Sequence, residues 1–245
     1  MTTKRWLGPT LYLLIVCTPR VAQGQVRSNI TVFEVAPTVG RGICSVEAHD
    51  RGAGWDAMLA SRDMEDDEAR PLLDALQDSL TLEAAARPTD VKLQYVLATV
   101  IGGRTEIEGG RAKIRFAKAL HAQAGVVLSL NPNHPGAQHL LGRLHAAVMR
   151  MGRIKRFLAT KVLGGGALAS ASWEEAQRLL EAAVSGDPCI ADHHYELALL
   201  YAQRDDHDAA NRQIREMLRL TGSQAEAQTV VAKAVALLED LDFGL

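Results

Sequence analysis

The chain has 245 residues, 27 Lys and Arg against 29 Asp and Glu, and a net charge of −2, with 47% apolar and only 4% aromatic residues. That composition excludes a disordered, collagenous or coiled-coil chain, and a balance so near neutral speaks against phosphate-driven nucleic-acid binding. With few aromatic rings, Ala and Leu must close the interior at short helix-to-helix distances, so a mostly helical protein is expected.

Residues 1–24 read as an export signal. Lys4 and Arg5 supply charge, Leu7 to Cys17 an apolar run too short to span a bilayer, and Ala22-Gln23-Gly24 a cleavage site near Gly24. An uncleaved anchor is the competing reading. Cleavage removes Lys4, Arg5 and Arg20 but no acid, so the net charge moves from −2 to −5. The expected location is the bacterial periplasm. Residues 25–50 form a different segment, β-prone at Ile30 to Val35 and broken by Pro37 and Gly40. Cys44 and Cys189 remain in a compartment where disulfides persist, and either one bridge or two buried thiols fits the spacing.

From Asp50 the apolar spacing is helical, and an internal repeat emerges. Ala176, Leu180, Ala183 and Pro188 recur 34 residues later as Ala210, Ile214, Met217 and Gly222. Pro88, Pro132 and Pro188 each stand nine residues before Leu97, Leu141 and Leu197, which are followed by Ala98, Gly142 and Ala198. This spacing is that of the tetratricopeptide pattern, a helix pair of about 34 residues. The leucines lie 44 and 56 residues apart, so the earlier units carry insertions, expected around Gly102–Gly110 and over Met151–Ser172. Ser172, followed by Trp173-Glu174-Glu175, predicts a capped helix start.

The expected helix pairs are 54–64/68–86, 90–101/111–130, 135–160/172–185 and 191–203/207–220, with a closing helix at 224–241. The fold class is therefore all-α, a tetratricopeptide-like right-handed solenoid of three to four helix pairs plus a capping helix. The domain reading is a signal peptide (1–24), an extended segment (25–50), a degenerate or capping pair (51–89), repeats (90–222) and a capping helix (223–245).

The stretch Asn131-Pro132-Asn133-His134-Pro135-Gly136-Ala137-Gln138-His139-Leu140-Leu141-Gly142-Arg143, then Gly152-Arg153-Ile154-Lys155-Arg156 and Ser172-Trp173-Glu174-Glu175-Ala176, resembles the regulator of microtubule dynamics family and its bacterial relatives. The resemblance covers about residues 90–220. It implies a helical repeat that binds protein partners and brings no catalytic residue with it. The first unit departs from the pattern, with Leu120 at the small-residue position and Gly125 inside its second helix, so its packing is expected to be the least secure.

The resemblance further implies a concave groove lined by the first helices, two residues either side of each pattern leucine. Those positions hold Tyr95, His139 and Tyr195 before it, and Thr99, Arg143 and Leu199 after it, with Lys92 and Asp192 framing the ends. Rings with Arg143 between them suit an extended peptide, although Tyr95 and Tyr195 are also ordinary packing residues. The basic stretch 150–163, with Arg150, Arg153, Lys155, Arg156 and Lys161 among apolar residues, suits weak contact with an anionic membrane surface or simple packing on the next repeat.

No metal, cofactor or catalytic residue is expected. His193-His194 project about 100° apart on a helix, the glycine clusters lack a phosphate-loop ending, and Gly-x-Ser-x-Gly is absent. Two functions follow. One is an exported, non-catalytic adaptor that binds a protein or peptide in its groove. The other is a small-ligand-binding accessory protein of a periplasmic uptake system, closing the groove on an anion through Arg143 and Arg150.

Overall fold

The structure, a computed structural model, describes residues 64–152, 156–157, 166–220 and 232. All of them belong to one unit, Arg41–Leu245, distinct from Met1–Gly40. The expected signal peptide, the segment 25–50, the helix at 54–64 and the closing helix at 224–241 lie outside the described residues.

Among the described residues the architecture is all-α. Helices α1 (Asp66–Ala86), α2 (Val91–Ile107), α3 (Gly110–Leu130), α4 (Pro135–Arg150), α5 (Trp173–Gly186), α6 (Ala191–Ala202) and α7 (His207–Arg219) follow one another, with a 3-10 turn at Gly166–Leu168 before α5. The pairs α2/α3, α4/α5 and α6/α7 are the repeat units. Helix α1 is the second helix of an earlier unit and packs on α2. Successive first helices also touch, α2 to α4 and α4 to α6, which is what a helical-repeat solenoid requires.

Local chemistry fixes the starts. The Asp90 carboxylate accepts from the Leu93 N–H (3.0 Å), Ser172 Oγ from Glu175 (3.1 Å) and Asp206 from Ala209 (3.0 Å). The expected cap at Ser172 is thus the cap observed. His134 caps α4 through Nδ1, which accepts from the Ala137 N–H at 3.2 Å, and Pro135 supplies the first helical residue, where a missing N–H costs nothing.

The pattern's leucines and small residues sit where the units close. Leu97, Leu141 and Leu197 are buried, and Ala98 and Ala198 are fully enclosed. At Gly142 the approach is tightest, because a Cβ there would lie 2.8 Å from Leu180 Cγ and 3.1 Å from the Ala176 carbonyl oxygen. Only a glycine lets α4 and α5 meet at that distance.

Two boundaries differ from expectation. The ten extra residues of the first unit do not form a loop at Gly102–Gly110. They lengthen the helices, so α2 has 17 residues and α3 has 21, against 12 and 13 in α6 and α7. Gly102 and Gly103 lie inside α2, facing Leu140 and Leu73, and the chain breaks only at Glu108-Gly109, with Gly110 at φ +53°. Burial against neighbouring leucines outweighs the roughly 1 kcal/mol that each glycine costs a helix.

Helix α4 in turn ends at Arg150 rather than 160, capped by Met151 and followed by Gly152, and helical backbone resumes at Arg156–Phe157. The buried Leu168 of the 3-10 turn then joins the core formed by α1 to α4.

The first unit does not pack loosely. Leu120 is buried in the largest core cluster together with Leu73, Val100, Phe116 and Leu144. The absent side chain of Gly102, 3.9 Å from Leu120 at its Cβ position, makes the room that a small residue at 120 would otherwise have made. Beside it lies a buried charge. Arg104, 4% exposed, pairs with Asp74 of α1 and with Glu108 (2.7 Å), donates to the Arg70 carbonyl (3.2 Å), and sits 4.6 Å above the Phe116 ring. One guanidinium therefore ties α1, α2 and α3 together.

Candidate protein-binding face

The first helices α2, α4 and α6 carry the residues expected to bind a partner, and the structure distributes them in three groups. The first group forms the seams between helices. The Tyr95 ring lies over the first turn of α4, 4.5 Å from the His134 ring, and so close to Gly136 that a Cβ there would collide with the phenol. One unit further on, His139 of α4 lies 4.8 Å from the His193 ring of α6. Each ring therefore leans on the start of the following unit. Thr99 is buried, and its hydroxyl donates to the Tyr95 carbonyl one turn back (2.9 Å).

The second group is ionic and joins all three first helices. Arg143 of α4 bonds Glu106 of α2 (2.6 Å) on one side and Glu196 of α6 (2.9 Å) on the other. Arg150, one-third exposed, lies 3.7 Å from Glu196 and donates to the Gln203 side chain (2.8 Å). Burial lowers the Arg143 pKa, but Glu196, Glu106 and Asp192 outweigh it and leave the pKa raised, so its charge is permanent. Glu196 is nearly enclosed, and its second oxygen is buried without a hydrogen bond. Glu106, by contrast, is 45% exposed. The bridge thus has a buried carboxylate on α6 and a half-exposed one on α2.

The third group lies towards the end of the described repeats. Tyr195 and Leu199 are half-buried against Ala198, Ile214 and Met217. Burial and the Glu196 charge raise the Tyr195 pKa, against the smaller opposing effect of Arg150 and Arg143. Lys92 is exposed in the first turn of α2, and Asp192 is half-buried in that of α6. The structure accordingly brings Arg143, Arg150, Asp192 and Tyr195 together and places Tyr95, Thr99 and His139 in the packing between helices. Of the basic stretch, Arg150 and Arg156 are described. Arg156 Nη1 lies 3.1 Å from Met149 Sδ, and Phe157 is 59% exposed.

Sequence reading missed Glu106 and Glu196, and it missed a second recurring feature. Where the repeat pattern has Trp, three residues before the leucine, this chain has Gln94, Gln138 and His194. All three are buried, and each reaches the carbonyl of the proline six residues earlier: Pro88 (3.4 Å), Pro132 (3.2 Å) and Pro188 (2.9 Å). Gln94 also bonds the Ala84 carbonyl and Gln123, and His194 meets the Gln213 amide at 2.7 Å. The recurrence of a polar residue at one phase of all three units is the signal that would have revealed these latches.

The fold and this face define a tetratricopeptide-like helical repeat of the kind that serves protein–protein interaction. The family model described as "Regulator of microtubule dynamics protein 1-3" matches residues 47–242, and the chain belongs to that family. No curated protein matches the chain. Among solved structures, a thermophilic tetratricopeptide protein of Thermus thermophilus is similar at 16% identity, covering 78% of this chain and 91% of that one, with a TM-score of 0.47. A crystal structure of MamA is similar at 14% identity, covering 71% and 89%, with a TM-score of 0.43. Among the described residues no group of three or more His, Cys, Asp or Glu is placed to hold a metal ion. No described helix is long and apolar enough to cross a membrane.

Proposed function

We propose that the chain is an exported, non-catalytic adaptor that binds a protein or peptide across the inner face of α2, α4 and α6. The observation that carries this reading is the Glu106–Arg143–Glu196 bridge, which makes one surface of three helices. Because Glu106 is nearly half exposed, a carboxylate of the partner can take its place on the Arg143 fork while Glu196 keeps the guanidinium oriented. The rest of the contact comes from the half-buried Tyr195 and Leu199 and the exposed Lys92 and Arg150.

Export is supported by the charge and apolar run of residues 1–24. An exported chain does not meet tubulin, so the partner differs from the one the family's name suggests. The test is photocrosslinking in the native host from position 106, with Arg212 of α7 as the control position. A discrete protein adduct at 106 and not at 212 supports the adaptor. Equal crosslinking at both positions overturns it. Stabilisation by small anions alone, lost in Arg143→Ala, favours the uptake-accessory reading instead.

A further inference from the structure

The second helices of the first two units carry outer faces that the adaptor reading does not use. On α3 the exposed stripe runs Arg111, Arg115, Lys118, Ala122, Val126, Leu130. Its first half is basic, α3 contains no acid at all, and among the described residues Arg111, Lys113 and Lys118 make no ion pair. Its second half is apolar, with Val126 40% and Leu130 36% exposed and open space in front of Gly125. Three cations in the first two turns also oppose the helix dipole, and Gly109 offers no side-chain cap. A local arrangement that costs stability without an internal return points to a partner.

Helix α1 carries the matching stripe at the same phase of the repeat, 44 residues earlier: Asp67, Pro71, Asp74, Asp78, Leu82, Ala86. Its first half is acidic, extended by Glu65, Asp66 and Glu68, and Asp66, Asp67, Glu68 and Asp78 make no ion pair among the described residues. Its second half is apolar, with Leu82 75% exposed. The outer faces of α5 and α7 differ, since their charges pair locally as Glu175–Arg178 and Glu216–Arg219.

We propose that two copies of this chain associate through these faces, α3 of each lying parallel to α1 of the other about a two-fold axis. Parallel pairing in phase sets the acids of α1 beside the bases of α3 and Leu82 beside Val126 and Leu130. Antiparallel pairing would set each charged half against an apolar one. Because each copy offers both stripes, the contact is self-complementary and closes at two. The interface uses second helices, while partner binding uses first helices, so the failure of one leaves the other standing.

The experiment is sedimentation of the purified full chain from about 1 to about 100 µM in low and high salt. A dimer that weakens as salt rises is expected. The charge-reversed pair Arg111→Glu/Lys118→Glu weakens it by about tenfold or more, as does Asp67→Lys/Asp78→Lys, and mixing the two variants restores a heterodimer. Leu82→Ser weakens the dimer in both salts. Circular dichroism confirms that the variants stay helical, which is expected because the altered side chains are exposed and an acid at 111 suits a helix start. A wild-type monomer at every concentration, or variants that dimerise like wild type, overturns the proposal. So does binding to phosphatidylglycerol vesicles by a chain that stays monomeric, which would make α3 a lipid-facing helix.

Discussion

The two ends of the described repeat array solve the same packing problem differently. At the N-terminal end α1, α2 and α3 have 21, 17 and 21 residues, share one large core, and enclose the Arg104 guanidinium. At the C-terminal end α5, α6 and α7 have 14, 12 and 13 residues and form two small clusters; α5 and α7 carry their pairs on the surface, and the enclosed Glu196 of α6 is met by Arg143 and Arg150 of α4. An insertion that lengthens both helices of a unit adds buried surface, and with it the capacity to hold a charge away from water. In the short units the pairs within α5 and within α7 stay outside, where they contribute little, and Glu196 is enclosed only because α4 brings two arginines to it.

The sharpest way to break this contrast is at arginine. Arg104→Ala empties an enclosed site and leaves the largely buried Glu108 only the longer Arg70 pair (3.5 Å), and is expected to cost about 3 kcal/mol in denaturant unfolding. Arg178→Ala, which breaks an exposed pair on α5, is expected to cost about 0.5 kcal/mol or less. Equal losses would show that Arg104 is solvated in solution.

Next is the α4–α5 contact. Gly142→Ala forces Leu180 and the α5 backbone to give way and costs about 2 kcal/mol. The reverse change at the same phase, Ala98→Gly, costs about 1 kcal/mol through helix propensity and lost packing. A stabilised Gly142→Ala variant would mean that α4 and α5 stand far enough apart to admit a methyl group.

The polar latches separate the ends by a smaller margin. Gln94→Leu strands the Ala84 carbonyl and takes the shorter of two acceptors from the Gln123 amide, which keeps the backbone carbonyl of residue 94, and is expected to cost about 1–2 kcal/mol. Gln138→Leu leaves only the Pro132 carbonyl and costs about half as much, a difference readable from two unfolding curves.

The smallest effect is titration. Burial lowers the pKa of His134, His145 and His193; at His145 Glu175 opposes this, and at His193 the Asp187 carbonyl and charge do. A histidine pKa lower in the folded than in the unfolded chain means that the unfolded chain binds more protons. Stability is therefore full above about pH 6.5 and falls as pH drops below it. Protonated His134 also loses the lone pair that caps α4. The melting temperature is expected to fall by a few degrees between about pH 7.5 and 5.5, at about 2–4 °C per kcal/mol for a chain of this size. His134→Asn, which keeps a capping acceptor without the titration, should flatten that slope.

Much of the fold is legible in the residues. The nine-residue interval from proline to leucine and the 34-residue recurrence set the phase of every unit, and Ser172 announces α5. The candidate face is less so. Arg143 is identifiable from its register, but its partners Glu106 and Glu196 stand at phases that carry no pattern. The rings at 95 and 139 occupy the expected phase, yet the first turn of the next unit claims them. Single-sign stripes on α1 and α3 are visible only once exposure is known.

By itself, then, the sequence determined the helical class, the pairing and phase of the units, and the membership of a repeat family, because side-chain spacing along one helix decides which face is buried. Only the tertiary structure decided that Gly102 and Gly103 remain helical, that Arg104 is enclosed, and that Arg143 joins three helices. Those outcomes depend on distances between elements far apart in the chain. There, burial against a neighbour outweighs local propensity, and the charge that can be accommodated is set by the oxygen atoms another helix brings within reach.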